Sequence, residues 1–96
     1  MSDKVFVFAQ VIPHEGKADA LREALQALVA HTRTEAGFIQ YDLHESTEKP
    51  DHFAFYEVWA DQAALDAHAG SNFMKAHSTR TAEWVQSVSI KTYCKI

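Results

Sequence analysis

The sequence predicts one α+β domain spanning residues 1–96, on two kinds of periodicity. Four segments rich in β-branched and aromatic residues have the length and pattern of strands. Helical spacing of apolar residues separates the first segment from the second and the third from the fourth. The composition, 47% hydrophobic and 23% charged, is that of a globular protein. A chain this short buries roughly 60–65% of its unfolded surface, so its own core is thin.

The first strand is predicted over Val5–Ile12, a run of β-branched and aromatic residues that ends before Pro13. A helix is predicted from Lys17, with Gly37 as a stop signal beyond its last turn. Residues of one helical stripe carry the apolar or small side chains: Leu21, Leu25, Leu28, Val29 and Thr32. That pattern indicates an amphipathic helix.

The second and third strands are predicted over Phe38–Glu45 and His52–Ala60, joined as a hairpin through the polar turn Ser46–Asp51. In the second strand, alternation places Ile39, Tyr41 and Leu43 on one side. The opposite side of that strand is polar.

In the third strand, Phe53, Phe55, Glu57 and Trp59 share one face, so a carboxylate lies among aromatic rings. An unpartnered carboxylate there would cost several kcal/mol or remain protonated. Glu57 therefore requires a hydrogen-bonding partner or has a functionally shifted pKa, and the sequence leaves both open.

Asp61 is predicted to cap a short helix that runs to about Ala69, where Gly70 interrupts it. Ser71 then caps a second helix reaching about Val85. The last strand is predicted over Val88–Ile96, with one face formed by Val88, Ile90, Thr92, Cys94 and Ile96. Cys94 is interpreted as a small core residue.

The order β-α-β-β-α-β is that of a ferredoxin-like antiparallel sheet with its helices on one face. The first and third strands nevertheless carry large apolar groups on both sides, for example Val7 against Phe8 and Trp59 against Tyr56. A bare apolar face of that size promotes aggregation. We therefore expect an obligate homodimer whose open sheet faces pack together into a barrel.

The charge balance excludes some partners. A net charge of −4 and the absence of adjacent basic residues argue against nucleic-acid and anionic-membrane binding. The start Met1–Lys4 has no leader pattern, and no apolar run approaches the roughly 20 residues of a membrane span, so a cytoplasmic protein is expected.

Metal and nucleotide chemistry lack sequence support. One cysteine precludes an intrachain disulfide, and the six histidines never occur at i, i+2 or i, i+4 spacing. No glycine-rich phosphate loop occurs in the chain. No metal site and no cofactor are predicted.

Two stretches carry a family resemblance: Glu35-Ala-Gly37 leading into Phe38–Tyr41, and Phe55–Asp61 followed by His68 and Ser71–Phe73. Over nearly the whole chain, this pattern resembles the antibiotic biosynthesis monooxygenase domain family. The resemblance implies a dimeric α+β barrel. It also implies oxidation of quinols, anthrones or other phenolic compounds by dioxygen, with neither metal nor flavin.

Some members of that family degrade haem. They use a tryptophan that distorts the haem and an axial histidine in the last helical region. His68 occupies about the position of that tryptophan, and His77 is offset by about one residue from the histidine. The resemblance therefore does not extend to haem.

For the implied chemistry, the first candidate base is His68, with Glu57 orienting it. A purely structural His68–Glu57 hydrogen bond is the equal alternative. Further candidates for substrate binding, each with a packing or capping alternative, are Trp59, Asn72, Phe73, His77 and Arg80. Tyr41, Phe55 and Tyr56 are interpreted as packing residues.

Three functions stay open at the level of sequence. The resemblance favours a cofactor-independent monooxygenase acting on a quinol-like or other phenolic small molecule. An isomerase of a small hydroxy-ketone, phosphorylated in some cases, would use the same acid–base pair. A non-catalytic, ligand-binding or stress-associated dimeric barrel is the third hypothesis. Dioxygen consumption separates the first from the other two.

Overall fold

Seven elements follow one another in residues 3–96, which the computed structural model describes. The strands are β1 (Val5–Pro13), β2 (Phe38–Glu45), β3 (Phe53–Trp59) and β4 (Val85–Tyr93), and the helices are α1 (Ala18–Thr32), α2 (Gln62–Ala69) and α3 (Asn72–Thr81). The sheet order is β2-β3-β1-β4 and every neighbouring pair is antiparallel. The predicted α+β class and ferredoxin-like order are confirmed. The prediction for the start of the chain also concerns Met1 and Ser2, which lie outside the described residues.

The core lies between α1 and one face of the sheet. Leu21, Leu25 and Leu28 form the buried stripe of α1, as their spacing predicts. They cluster with Val7 and Phe55 from the helix-facing side of the two central strands. Each such side chain contributes roughly 1.5–3 kcal/mol when fully buried, so this layer fixes the helix on the sheet.

The opposite face of the sheet carries an aromatic cluster with no helix over it. Phe8 is 52% exposed, and its ring lies 5.3 Å from both the Tyr56 and the Tyr93 ring centroids. Tyr93 is also half exposed. We call this cluster of Phe8, Tyr56 and Tyr93 the open face; it confirms that the sheet is apolar on both sides.

The end of the chain departs from the predicted boundaries. α3 ends at Thr81 instead of near Val85, and β4 runs from Val85 to Tyr93 instead of from Val88 to Ile96. The cause is the neighbouring strand, because the His14 N–H donates to the Trp84 carbonyl at 2.8 Å and Pro13 pairs with Val85. Strand pairing thus ends the helix early. Cys94 consequently follows β4 and is exposed, so its prediction as a core residue is wrong.

Strand β2 contains a second departure. Its pairing with β3 shifts between Phe38 and Gln40, a bulge that leaves Ile39 out of the alternation. Ile39 is therefore exposed, whereas Tyr41 is buried as predicted.

The short helix α2 is held firmly at both ends. Asp61 caps it by accepting a hydrogen bond from the Ala64 N–H at 2.8 Å, and Ser71 caps α3 by accepting from the Met74 N–H at 3.1 Å. Gly37 adopts φ +82° against Ala64, at a point where a Cβ atom would overlap the alanine methyl. Backbone packing therefore fixes the position of α2.

No helix within residues 3–96 combines the length and the apolar character that crossing a bilayer requires.

Candidate functional site

A cavity of about 620 Å³ lies between the helices and the sheet. Its walls are mainly aliphatic and aromatic, with members such as Val7, Val11, Leu21, Leu25, Phe55 and Met74. Val88 and Ile90 of β4 line it as well and are exposed, so the cavity opens on the β4 side of the sheet. This size and apolar lining suit a small-molecule pocket.

Glu57 lies on the wall of this cavity, buried in β3. The Trp59 indole N–H donates to its carboxylate at 2.9 Å, which provides the partner that the sequence requires. Burial nevertheless raises the pKa of Glu57 above its usual value, against smaller opposing effects of the Trp59 hydrogen bond and the His68 charge. Glu57 is thus both partnered and shifted toward its protonated form.

His68 enters the same cavity from α2 and is buried. Its ring packs against Trp59 at 4.7 Å between centroids and against Tyr41 at 5.4 Å. Its Nδ1 donates to Glu35 Oε1 at 2.6 Å. The carboxylate that orients His68 is therefore Glu35, and the predicted orienting role of Glu57 is corrected on this point.

The hydrogen bond to Glu35 defines what His68 can do. With Nδ1 occupied, Nε2 is the ring nitrogen left for a ligand. A carboxylate at Nδ1 holds the tautomer and stabilises the imidazolium that forms when Nε2 accepts a proton. An imidazole held in this way can accept a proton at Nε2.

Tyr41 adds a phenol to the same wall. Burial, and then the Glu57 charge, raise the pKa of Tyr41 far above its usual range. It therefore remains a neutral hydrogen-bond donor at any physiological pH. The sequence indicated only a packing role for Tyr41.

His77 of α3 also lines the cavity and is only 9% exposed. Its Nδ1 has no hydrogen-bonding partner among the described residues. Burial, followed by the nearby Arg80 charge, lowers the pKa of His77, so the ring is neutral near pH 7. A neutral imidazole on the wall can exchange hydrogen bonds with a ligand.

The remaining predicted binding residues lie outside this wall. Trp59 is fully buried behind Glu57 and supports it. Phe73 stacks on His31 with centroids 4.0 Å apart. Asn72 is exposed at the start of α3, and Arg80 borders a separate small groove with Trp84. The structure thus brings Glu57, His68 and His77 together.

Glu35 is the functional candidate that sequence reasoning missed. It lies 33 residues before His68 in the chain, so spacing could not pair them. The available signal was its position in the turn between α1 and Gly37, where an acidic side chain is carried beside α2.

The charges around the cavity limit its ligands. Of the described residues that line it, none is Lys or Arg, while Glu57 and Asp66 are acidic. A carboxylate or phosphate would find no fixed cation there. Within residues 3–96, no group of three or more His, Cys, Asp or Glu side chains is arranged to hold a metal ion.

Comparison with known proteins gives a consistent result. The family model of the antibiotic biosynthesis monooxygenases matches residues 4–80. The protein named "Putative monooxygenase Rv0793" from Mycobacterium tuberculosis is 37% identical over 71 residues, covering 74% of this chain and 69% of its own length. The structure of Rv0793 superposes with a TM-score of 0.90 at 29% identity, covering 97% of this chain and 95% of that one.

A second solved structure extends this likeness over the full length. PA3566 from Pseudomonas aeruginosa gives a TM-score of 0.93 at 34% identity, covering 100% of this chain and 97% of its own. With the matched family model, these likenesses show that the chain belongs to the antibiotic biosynthesis monooxygenase family.

Proposed function

We propose that this protein is a cofactor-independent monooxygenase that oxidises an uncharged quinol-like or other phenolic small molecule with dioxygen. The observation that carries the proposal is that an oriented imidazole, His68, and a buried carboxyl group, Glu57, line the same apolar cavity. Family membership and the name of Rv0793 support a monooxygenase activity.

The reaction begins with a proton transfer. His68 Nε2 takes the proton of the substrate hydroxyl, while Glu35 stabilises the imidazolium through Nδ1. Glu57 and Tyr41 line the same cavity and are the proposed hydrogen-bonding partners of the substrate oxygens. Removing the proton leaves an electron-rich anion in an apolar setting, where it is a strong reductant.

Dioxygen then acts as the oxidant. The anion gives it one electron, and the resulting substrate radical and superoxide combine to form a carbon–oxygen bond. The peroxide so formed takes up a proton from the site. The carbon that bears it then loses its hydrogen as a proton while the O–O bond breaks, so that water leaves and a quinone carbonyl remains. The protein supplies the base, the positioning and the exclusion of water.

The predicted binding residues differ in how directly they meet the substrate in this proposal. His77 offers the substrate a second polar contact on the wall, and Trp59 acts by holding Glu57. Binding roles for Asn72, Phe73 and Arg80 stay predictions. A partner subunit or a bound substrate would be needed to bring them to the reaction.

The proposal includes a homodimer in which two open faces pack on each other. The half-exposed Phe8 and Tyr93 are supporting observations, because ordered aromatic side chains on a bare sheet face favour burial. Such packing would form the barrel that the sequence predicts.

The cavity also bears on the isomerase hypothesis. A phosphorylated hydroxy-ketone needs cationic side chains, and those are lacking among the described lining residues. The observed lining therefore favours a neutral aromatic substrate over a phosphorylated one.

The test is dioxygen uptake by metal-stripped protein with a panel of hydroquinones and anthrones. The native chain is compared with His68→Ala and with His44→Ala, a matched control on an exposed histidine of β2. We expect uptake in the native and control proteins that is lost in His68→Ala. Uptake no faster than the uncatalysed rate with every substrate would refute the monooxygenase. Tight ligand binding without turnover, unaffected by His68→Ala, would establish the binding role instead.

A further inference from the structure

Glu35 contacts two histidines through its two carboxylate oxygens. Oε1 accepts from His68 Nδ1 at 2.6 Å, and Oε2 lies 3.7 Å from His31 Nε2. Orientation of His68 requires only the first of these contacts. The second contact joins Glu35 to His31 of α1, which does not line the cavity.

The exposure of the three side chains rises steadily along this line. It is 6% for His68, 16% for Glu35 and 39% for His31. The series therefore starts at a buried cavity wall and ends at a side chain that solvent reaches. Titratable groups with graded exposure have the order that a proton path between a buried base and water requires.

His31 is held in its place by Phe73. The two rings stack with centroids 4.0 Å apart and planes 3° from parallel. This contact limits the ring to a small range of positions beside Glu35. A histidine that served only as a solvated surface residue would not need that restraint.

We propose that His68, Glu35 and His31 form a proton relay between the cavity and solvent, so that Glu35 and His31 take part in the turnover of the substrate. This inference rests on the proposed function, because it requires His68 to act as a base. It gives Glu35 and His31 a part in the reaction. His68 remains the group that touches the substrate.

The proton transfers balance at each atom. As the substrate O–H bond breaks, its proton binds His68 Nε2, and the Nδ1 proton passes to Glu35 Oε1. Rotation of the neutral carboxyl group about its Cγ–Cδ bond then turns this proton toward His31 Nε2, which accepts it, and His31 releases a proton to water. Closing the 3.7 Å gap to hydrogen-bonding distance takes a movement of about 1 Å. The reverse sequence returns a proton when water leaves the peroxide.

The test uses 4-nitrocatechol, a phenol whose ionised form absorbs visible light. A stopped-flow pH jump without oxygen measures how fast the bound dye ionises in native protein, Glu35→Gln and His31→Phe. His31→Phe keeps an aromatic ring stacked on Phe73 but cannot carry a proton. His44→Phe is the matched control, because His44 is an exposed histidine of β2.

We expect both relay variants to slow ionisation about 10²-fold, the low end of general acid–base effects, and the control to leave it unchanged. Slow dye ionisation in Glu35→Gln together with a native rate in His31→Phe would overturn the relay. Glu35 would then be a positioning residue. Unchanged rates in both variants would also overturn it.

A second readout needs no ligand. In ¹⁵N-histidine-labelled protein, NMR gives the exchange rate of the His68 ring proton with water, and the relay predicts slower exchange in His31→Phe. Equal exchange rates in native and variant proteins would refute the relay. Failure of the dye to bind would count against the proposed function, while this measurement still decides the relay.

Discussion

Glu57 experiences two opposing effects at the scale of single residues. Burial among apolar walls disfavours its charge, while the Trp59 N–H at 2.9 Å and the nearby His68 favour it. Burial is the larger effect, and the pKa of Glu57 is raised. A carboxylate whose pKa is raised accepts a proton more readily than an ordinary glutamate, which suits a site proposed to handle a substrate proton.

This balance predicts how stability depends on pH. Above pH 4.5, the unfolded chain loses the Glu57 proton while the folded chain keeps it, so the folded state binds more protons. Glu57 therefore makes the free energy of unfolding fall as pH rises from 4.5 to its raised folded pKa. Glu57→Gln keeps an acceptor for Trp59 and should remove that fall. Urea unfolding of both proteins from pH 4 to 8 measures the difference.

Comparing native protein with Glu57→Gln isolates the contribution of Glu57 to the pH dependence of stability, because the lowered pKa of His77 acts equally in both proteins. That lowered pKa makes stability rise with pH below 6.5 in each of them. Parallel stability curves for native protein and Glu57→Gln would show that the carboxyl group is not disfavoured by burial.

At the scale of elements, the approach of α2 to the turn after α1 fixes the site. Gly37 has φ +82° and no room for a Cβ atom beside Ala64, whereas Gly16 has φ +81° in open space. The two glycines therefore share one backbone constraint and differ in packing. The position of His68 against Glu35 depends on this close approach.

Gly37→Ala is therefore expected to destabilise the protein more than Gly16→Ala. Both variants strain the backbone, at a cost of order 1–3 kcal/mol, and only Gly37→Ala adds overlap with α2. It should also weaken the His68–Glu35 contact, which NMR of the His68 ring would report. Equal losses in the free energy of unfolding for the two variants would contradict the packing argument.

The elements also show what sequence can predict. Both caps, the α1 stripe and the buried face of β3 were predictable, because each depends on neighbouring residues in the chain. The end of α3 was not, because β1 determines it through the bond from His14 to Trp84. The Glu35–His68 contact likewise depends on packing between distant segments. Local patterns carry no information about such tertiary partners.

At the scale of the whole molecule, the sheet has an apolar cavity on one side and the open face on the other. Placing the site on the helix side leaves the open face free for assembly. The open face contains Phe8 in contact with Tyr56 and Tyr93. The proposed dimer would bury these rings without blocking the chemistry of Glu57 and His68.

Phe8→Asp should therefore shift the protein toward monomers in sedimentation velocity, since a charge at the centre of a packed face is costly to bury. Ile39→Asp is the matched control, because Ile39 is also exposed but lies at the β2 bulge. A monomeric native protein, or an unchanged dimer in Phe8→Asp, would contradict assembly through the open face.

A double-mutant cycle tests the proposal that His68 and Glu57 act on the substrate as one unit. It compares kcat/KM for dioxygen uptake in native protein, His68→Asn, Glu57→Gln and the double variant. Each single variant should lose about 10²–10⁴-fold in kcat/KM. The double variant should be no less active than the less active of the two single variants. A double variant whose loss equals the product of the two single losses, or single variants with native rates, would show that the two residues do not act on the substrate as one unit.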